Sequence, residues 1–135
     1  MPKNNPPLPV NGDLLGLLSG NVPLIDVRAP IEFAEGSFPG SVNLPLMTDE
    51  ERHLVGICYK EKGHAEAVAL GHHLVSGMLK DQRIAAWVAF IKEHPTAHVM
   101  CFRGGMRSQI SQAWLSEAIG RPVPRVDGGY KALRS

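Results

Sequence analysis

Two hydrophobic patterns alternate along this chain. Short apolar runs that are typical of buried strands lie at 23–27, 98–102 and 123–127. Apolar residues spaced three or four positions apart predict amphipathic helices at 84–91 and 110–118. Because parallel strands are joined by helices that cover the sheet, this alternation predicts an α/β fold with a central parallel sheet and helices on both faces.

Capping residues predict where several helices begin and end. Asp13 can cap a short helix that Gly20 closes, and Thr48 with Glu51 forms a capping box at the start of a longer helix. A further helical stretch over 64–80 contains two internal glycines, which weaken it. The remaining short elements are a helix around 31–34, and a turn and strand within 39–45.

The chain predicts one folded domain over residues 10–135, preceded by an extended, flexible arm over residues 1–9 that holds four prolines. The N-terminus lacks the apolar segment of a signal peptide. The longest apolar run, at 84–91, is far below the ~20 residues that span a bilayer. The two cysteines form neither a disulfide framework nor a zinc motif. A cytoplasmic protein without membrane contact is therefore the expectation.

Charge is divided unevenly along the chain. Residues 1–97 hold 8 Lys and Arg against 11 Asp and Glu, a balance of −3, whereas residues 98–135 hold 6 against 2, a balance of +4. The formal net charge of +1 and the 44% of hydrophobic residues exclude a disordered or fibrous protein. The basic C-terminal part favours an anionic ligand.

The residues with the most specific chemistry surround the end of the apolar run at 98–102. Cys101 lies at the carboxyl end of that predicted strand, a glycine-rich loop follows it, and a helix is predicted to start near Ser108. Ligands of open parallel sheets bind in such loops. Inward-pointing backbone N–H groups, the helix N-terminus and the side chains of Arg103 and Arg107 can all stabilise an anion there. They favour the Cys101 thiolate and a tetrahedral oxyanion beside it.

Two glycines lie within this loop, and the second cysteine of the chain lies outside it. Gly104 and Gly105 permit the positive φ angles that a tight loop can require, because glycine adopts them without steric strain. Cys58 lies instead in an apolar helical stretch, where a buried and unreactive side chain is the simpler interpretation. Cys101 is therefore the candidate nucleophile.

Three segments along the chain resemble a rhodanese domain: 24–45 (LIDVRAPIEFAEGSFPGSVNLP), 101–108 (CFRGGMRS) and 125–133 (RVDGGYKAL). That family has a rhodanese-like α/β fold and carries a sulfane sulfur as a persulfide on a loop cysteine. The resemblance implies that Cys101 is the catalytic carrier and that two strand-end residues support its loop. Those supporting residues are Asp26 and Arg28, and the implied substrate-binding cradle is Phe102, Arg103, Gly104, Gly105, Met106, Arg107 and Ser108.

The length of the cysteine loop and one further segment indicate which group of rhodanese-domain proteins the chain resembles. The usual single-domain rhodanese pattern is C-x-x-G-x-R, whereas here five residues separate Cys101 from Arg107. With this longer loop and the segment 53–63 (HLVGICYKEKG), the chain is similar to the N-terminal domain of the tRNA 2-selenouridine synthase family. The similarity implies transfer of sulfur or selenium in the conversion of wobble 2-thiouridine to 2-selenouridine in tRNA. Selenophosphate or another anionic sulfur or selenium donor is the implied small-molecule partner.

The same similarity predicts which domains of the family the chain contains. The family continues into a C-terminal P-loop domain, and the sequence holds no GxxxxGK[ST] motif, so that domain is expected to be absent. Contact with tRNA is therefore expected through the full-length protein. No cofactor and no metal ion are expected.

The cysteine loop has an alternative interpretation. The spacing C-x5-R-[ST] is also the signature of cysteine phosphatases, which makes a phosphatase or arsenate reductase on a rhodanese fold the rival. Against it, Met100 stands where those phosphatases have histidine, and neither a loop carboxylate nor another nearby acid is expected to protonate an alkoxide leaving group. Slow hydrolysis of phosphate esters is therefore expected. A third interpretation, a non-catalytic binding module, is disfavoured by the intact Cys101.

Histidines and basic residues outside the loop carry weaker signals. His64 and His72 would lie about 80° apart around a helix, and no third ligand has suitable spacing, which favours solvated side chains over a metal site. The neighbouring His73 has the same interpretation. A basic C-terminal group is either an ordinary charged surface or a contact with the phosphate backbone of tRNA: Arg121, Arg125, Lys131 and Arg134.

Overall fold

In the computed structural model, which describes residues 8–102 and 105–134, five strands form one sheet in which every pair is parallel. In chain order the strands are β1 (Val10–Asn11), β2 (Leu24–Asp26), β3 (Ser41–Asn43), β4 (His98–Met100) and β5 (Arg125–Val126). Their order across the sheet is β1-β5-β4-β2-β3, so β4 is the central strand. The predicted parallel α/β architecture is confirmed.

Seven helices occur within the same described ranges. They are α1 (Leu14–Ser19), α2 (Pro30–Glu35), α3 (Asp49–Lys62), α4 (His64–Leu74), α5 (Gly77–Glu93), α6 (Met106–Ile119) and α7 (Gly129–Arg134). The predicted caps are confirmed at α1, where the Asp13 side chain accepts the N–H of Gly16, and at α3, where Thr48 and Glu51 form the capping box. Gly120 ends α6 in the left-handed conformation, as its type favours.

The sheet separates two apolar cores, which explains why helices lie on both faces. On one face, strand residues such as Ile25 and Val99 pack with Trp87 and Ile91 of α5 and Leu115 of α6. On the other face, a smaller cluster joins strands β2, β4 and β5 to α1 and α7, through Leu17, Leu24, Met100, Val126 and Leu133. Residues on successive positions of one strand therefore point to opposite cores, as the pleat requires.

The register of the central strands brings two chain segments together at one edge of the sheet. Asp26 at the end of β2 is paired with Met100 at the end of β4. The N–H of Val27 donates to the carbonyl of Met100 at 2.9 Å, so the pairing continues one residue past β2. Cys101 and the segment after Asp26 consequently leave the sheet side by side.

Two short elements, β1 and α7, carry no pattern that the sequence analysis could use. β1 is held by side chains from elsewhere: Gln112 Nε2 donates to the carbonyl of Pro9 at 2.7 Å, and Asn11 Nδ2 lies 3.1 Å from His98 Nε2. His98 Nδ1 lies 2.8 Å from the carbonyl of Thr96, which can only accept, so Nδ1 carries the proton and Nε2 accepts from Asn11. Burial lowers the pKa of His98, which agrees with a neutral ring.

One helix boundary differs from the sequence expectation. The predicted helical stretch over 64–80 is wrong as a single helix, because α4 ends at Leu74 and α5 begins at Gly77. Gly77 has a φ angle of +55°, which breaks the helix and which glycine adopts at little cost. Val75, between the two helices, is buried in the larger core, so packing stabilises the break. The sequence analysis had treated the glycines only as weak points.

The ends of the chain and its longest helices complete the description. Residues 1–7 of the predicted arm lie outside the described residues, and the division of the chain into an arm and one domain stays a prediction. Among the described residues, no helix is both long enough and apolar enough to cross a membrane.

Candidate functional site

Cys101 directly follows the central strand β4, as predicted, and its side chain is buried in the larger core. Its carbonyl accepts the N–H of Tyr130 at 2.8 Å, and the carbonyl of Phe102 accepts the N–H of Lys131 at 2.8 Å. Both donors belong to the first turn of α7. The position of the sulfur atom is therefore set by β4 on one side and by α7 on the other.

The rest of the predicted cradle is described only in part. Arg103 and Gly104 lie outside the described residues, so the predicted contribution of their loop segment is not tested. Gly105 has φ −85° and ψ −150°, so this residue does not use the positive φ that glycine permits. Helix α6 begins at Met106, two residues before the predicted start, because the Ser108 hydroxyl donates to the carbonyl of Gly105 at 3.1 Å and closes the first turn.

A buried ion pair lies beside the loop. Arg28 Nε donates to both carboxylate oxygens of Asp26, at 3.0 and 2.9 Å, and Arg28 Nη2 donates to Oδ2 at 2.7 Å. Nη2 also donates to the carbonyl of Gly36 at 2.8 Å, and the guanidinium lies 3.9 Å from the centre of the Tyr130 ring. Asp26 and Arg28 are 0% and 2% exposed. The pair joins β2, the end of α2 and the helix that holds Cys101.

Arg107, in the first turn of α6, forms a second ion pair at the edge of the loop. Its Nη1 donates to Glu32 Oε1 at 2.5 Å and its Nη2 donates to Oε2 at 3.2 Å. Arg52 of α3 shares the same carboxylate, with Nε 3.1 Å from Oε1. Arg107 was predicted from the sequence to bind an anion, and in the structure its guanidinium binds the carboxylate of Glu32.

The charges at this ion pair stabilise one another. Burial opposes the ionised form of Glu32, but hydrogen bonds from Arg107 and a backbone N–H, with the charges of Arg107 and Arg52, outweigh it and lower the pKa. Burial likewise opposes the charge of Arg107. The hydrogen bond and charge of Glu32, with the negative charges of Cys101 and Asp26, outweigh it and raise the pKa of Arg107. Arg107 is thus within electrostatic reach of the sulfur.

A cavity of about 260 Å³ lies against Phe102, the neighbour of Cys101. We call it the rim cavity, and it is lined by Arg28, Glu32, Glu35, Gly36, Arg52, Phe102 and Tyr130. Two carboxylates therefore lie near the loop, and the expectation that no acid is nearby was wrong. No local sequence pattern indicated this, because both glutamates come from α2, which reaches the loop only through the parallel pairing of β2 with β4.

A second, largely apolar groove of about 320 Å³ borders the first turn of α6. It lies between α6 and the contacting helices α3 and α4, and its lining includes Met106 and Arg107 at the start of α6. Its apolar walls include Val55, Ala67, Val68, Val75, Ile110 and Trp114. Met106, predicted as part of the cradle, therefore lines this groove.

The weaker candidates lie away from Cys101. Cys58 is half-buried on α3, so the prediction of a fully buried side chain was wrong, because α3 buries none of its residues. His64, His72 and His73 are exposed on α4. In the basic group, Arg121 Nη2 donates to the carbonyl of Pro95 at 3.3 Å and Lys131 is exposed on α7. A contact of this group with tRNA stays a prediction.

Three site residues were missed by sequence reasoning: Glu32, Arg52 and Tyr130. Glu32 carried one usable signal, because it stands at the third position of a helix that begins with proline, where a carboxylate accepts a backbone N–H. That signal places the carboxylate at a helix start but does not reveal its distant partners. Arg52 and Tyr130 had no signal that distinguishes them from surface residues.

Comparison with known proteins assigns the fold to a family. The family model for the rhodanese-like domain matches residues 11–135. A crystal structure of an N-terminal domain from Clostridium difficile 630 has a TM-score of 0.76 and 30% sequence identity to this chain. The match covers 93% of this chain and 95% of that one.

Several tRNA 2-selenouridine synthases are similar in sequence. The Bordetella bronchiseptica protein is 62% identical over 122 residues, which are 90% of this chain and 33% of that protein. The Sulfurovum protein is 62% identical, covering 95% and 35%, and the Pseudomonas putida protein is 58% identical, covering 91% and 33%. The chain thus spans about one third of the length of these curated relatives. With its parallel sheet, its cysteine at the end of the central strand and a family match over almost its whole length, the chain belongs to the rhodanese-like domain family.

Proposed function

We propose that the chain is a sulfur or selenium transfer domain in which Cys101 carries the transferred atom as a persulfide or perselenide. The observation that carries the proposal is the placement of Cys101, directly after the central strand and within electrostatic reach of Arg107. A thiolate, a persulfide anion and an oxyanion donor all gain from a cation at that position. The buried Asp26–Arg28 pair supports the loop from below.

The proposed context is the conversion of wobble 2-thiouridine to 2-selenouridine in tRNA. The support is the 58–62% identity to tRNA 2-selenouridine synthases. Because the chain spans only about a third of their length, these 135 residues are proposed to perform at most the half-reaction that loads Cys101. Full conversion of thiouridine tRNA by this chain alone, with selenophosphate, is the result that would contradict this division of labour.

The loading step balances without any added oxidant. With thiosulfate, the Cys101 thiolate attacks the outer sulfur, a bond from Sγ to that sulfur forms, and sulfite leaves with the electron pair of the broken S–S bond. With selenophosphate, attack at selenium forms the bond from Sγ to selenium. The Se–P bond breaks with its electron pair on phosphorus, which takes up a proton and leaves as phosphite.

The proposed donor site is the loop 102–108, with the positive charge of Arg107 facing the oxyanion part of the donor. Sulfonate and phosphonate groups share a tetrahedral arrangement of oxygens, which a guanidinium binds well. Phosphate is therefore expected to compete with the donor, and this competition is expected to be lost in Arg107→Ala.

Mass spectrometry after thiosulfate treatment tests the assignment of the carrier. One added sulfur atom is expected on the peptide that contains Cys101, and none is expected in Cys101→Ser. Cys58→Ser is the matched control and should load fully, since Cys58 lies on α3, away from the loop. An adduct on Cys58, or full transfer activity in Cys101→Ser, would show that the assignment is wrong.

The phosphatase alternative is tested with the same protein. Glu32 is held in its ionised form by two arginines, so it is a poor proton donor for an alkoxide leaving group at neutral pH. Slow hydrolysis of an aryl phosphate is therefore expected. Rapid, Cys101-dependent hydrolysis would overturn sulfur transfer in favour of the phosphatase.

The product of selenophosphate treatment tests which atom of the donor is attacked. Orthophosphate in place of phosphite, measured by phosphorus NMR, would show attack at phosphorus and exclude the perselenide.

A further inference from the structure

We propose that Glu32 is a positioning residue for the chemistry at Cys101: its carboxylate holds the guanidinium of Arg107 beside the loop and so determines how well an anionic donor binds there. The inference rests on the proposed function and adds a residue to it. Glu32 is 75 residues before Arg107 in the chain, and only the fold brings the two together.

The carboxylate of Glu32 is also bound by the backbone of its own helix start. Its Oε1 accepts the backbone N–H of Ala29 at 3.1 Å, which ties the side chain to the start of α2. The other end of α2 is tied down as well, because the carbonyl of Gly36 accepts a hydrogen bond from the buried Arg28. Glu32 therefore presents its oxygens from a rigid support, and Arg107 takes its orientation from them.

The geometry leaves Arg107 able to bind a donor while Glu32 holds it. A guanidinium has five N–H groups, and the fork to Glu32 uses two of them. One N–H on each terminal nitrogen and the one on Nε are not part of that fork. Arg107 lies in the first turn of α6, at the end of the loop that follows Cys101, so a guanidinium held there lies at the edge of the proposed donor site.

Glu32 could act as a nearby negative charge or as a positioning residue, and the two roles predict opposite effects of its removal on donor binding. If Glu32 acted only as a nearby negative charge, its removal would strengthen the binding of an anionic donor, because Arg52 and Arg107 would no longer be partly neutralised. If Glu32 positions Arg107, its removal weakens donor binding despite the gain in positive charge. The sign of the change therefore decides between the two roles.

The variant is Glu32→Gln, and the chain contains a matched control. Glu51 is also the third residue of its helix, accepts the backbone N–H of Thr48 at 2.9 Å, and receives a fork from Arg83 at 2.7 and 3.2 Å. Glu51→Gln thus removes the same kind of fork and the same charge at a place that does not touch the loop. It should leave the loading of Cys101 unchanged.

Loading kinetics with thiosulfate give the first readout. We expect Glu32→Gln to lower kcat/KM at least about tenfold, mainly through a higher KM, as for the loss of a charge-assisted hydrogen bond. In an Arg107→Met background, Glu32→Gln should have no further effect, because its partner is gone. An unchanged or higher kcat/KM in Glu32→Gln, or an equal loss in the Arg107→Met background, would overturn the proposal.

Protection of Cys101 by phosphate gives a second readout that does not depend on sulfur transfer. Inorganic phosphate is expected to slow alkylation of Cys101 by iodoacetamide in the wild type and in Glu51→Gln, but at least about tenfold higher phosphate should be needed in Glu32→Gln. Unchanged protection in Glu32→Gln overturns the positioning role. Absence of sulfur loading in the wild type would instead count against the proposed function, so the two failures are distinguishable.

Discussion

Asp26–Arg28 and Glu32–Arg107 are two ion pairs of the same chemical type near Cys101, in opposite settings. Asp26 and Arg28 are two residues apart, 0% and 2% exposed. Glu32 and Arg107 are 75 residues apart, and their side chains are 12% and 22% exposed. Both pairs have fork geometry, so burial and sequence separation are what distinguish them.

The difference in burial leaves the two arginines with different freedom to change partners. Arg28 cannot turn away from Asp26 without leaving a charge in the core, and the carbonyl of Gly36 and the ring of Tyr130 hold it in place as well. Arg107 lies nearer to solvent and shares Glu32 with Arg52. The buried pair fixes the backbone next to Cys101, whereas Arg107 is the residue that we propose to bind an anionic donor while Glu32 holds it.

The largest expected effect follows from breaking the buried pair. Arg28→Met leaves the carboxylate of Asp26 uncompensated in the core, and a loss of about 3–5 kcal/mol in the free energy of unfolding is expected. Urea denaturation monitored by tryptophan fluorescence measures it. The double variant Asp26→Asn with Arg28→Met removes both charges and should recover part of that loss. A loss below about 1 kcal/mol in the single variant would contradict the distinction between the buried pair Asp26–Arg28 and the partly exposed pair Glu32–Arg107.

A smaller effect is expected from breaking the two partly exposed forks. Glu32→Gln and Glu51→Gln should each lower the free energy of unfolding by about 1–2 kcal/mol, since each removes charge-assisted hydrogen bonds that water partly replaces. The two losses should be similar, because both carboxylates cap a helix and bind one arginine by a fork. A loss in Glu32→Gln as large as that in Arg28→Met would show that the partly exposed pair stabilises the fold as much as the buried pair does.

The smallest expected effect is a pH dependence of the contributions that Glu32 and Glu51 make to the free energy of unfolding. For Glu51, burial raises the pKa, but the hydrogen bond of Arg83, the contacts with Thr48 and the charge of Arg83 outweigh it, so the pKa lies below its ordinary value of 4.5, as for Glu32. A carboxylate with a lowered folded-state pKa stabilises the fold fully above the unfolded value, and this contribution is lost as the pH falls through the folded value.

The stability difference between the wild type and Glu32→Gln should therefore be constant above about pH 5 and shrink below pH 4.5. Denaturant titrations from pH 7 to pH 3 measure it, with Glu51→Gln as the parallel case. Taking the difference between wild type and variant cancels the titration of groups common to both, such as His98. A difference that stays constant down to pH 3 would show that neither carboxylate is stabilised in its ionised form.

Much of the fold and the core of the site could be predicted because their determinants are local. The caps at Asp13 and Thr48 act within one helical turn, and the apolar runs that form β2 and β4 are continuous in sequence. The Asp26–Arg28 pair is equally local, and the place of Cys101 after a strand follows from the run before it. The break at Gly77 was not predicted, because packing of the buried Val75 stabilises it.

The sequence by itself thus determined the parallel α/β class, the place of the candidate nucleophile Cys101 after a strand, and the residues next to it along the chain. Tertiary structure alone decided that Glu32 binds Arg107, that carboxylates line the rim cavity, and that the first turn of α7 holds Cys101. The physical reason is that hydrogen bonds and ion pairs act over about 3 Å, whereas their partners here lie many residues apart. Such partners meet only after the strands have paired in register, because that pairing sets which loops and helix ends share one edge of the sheet.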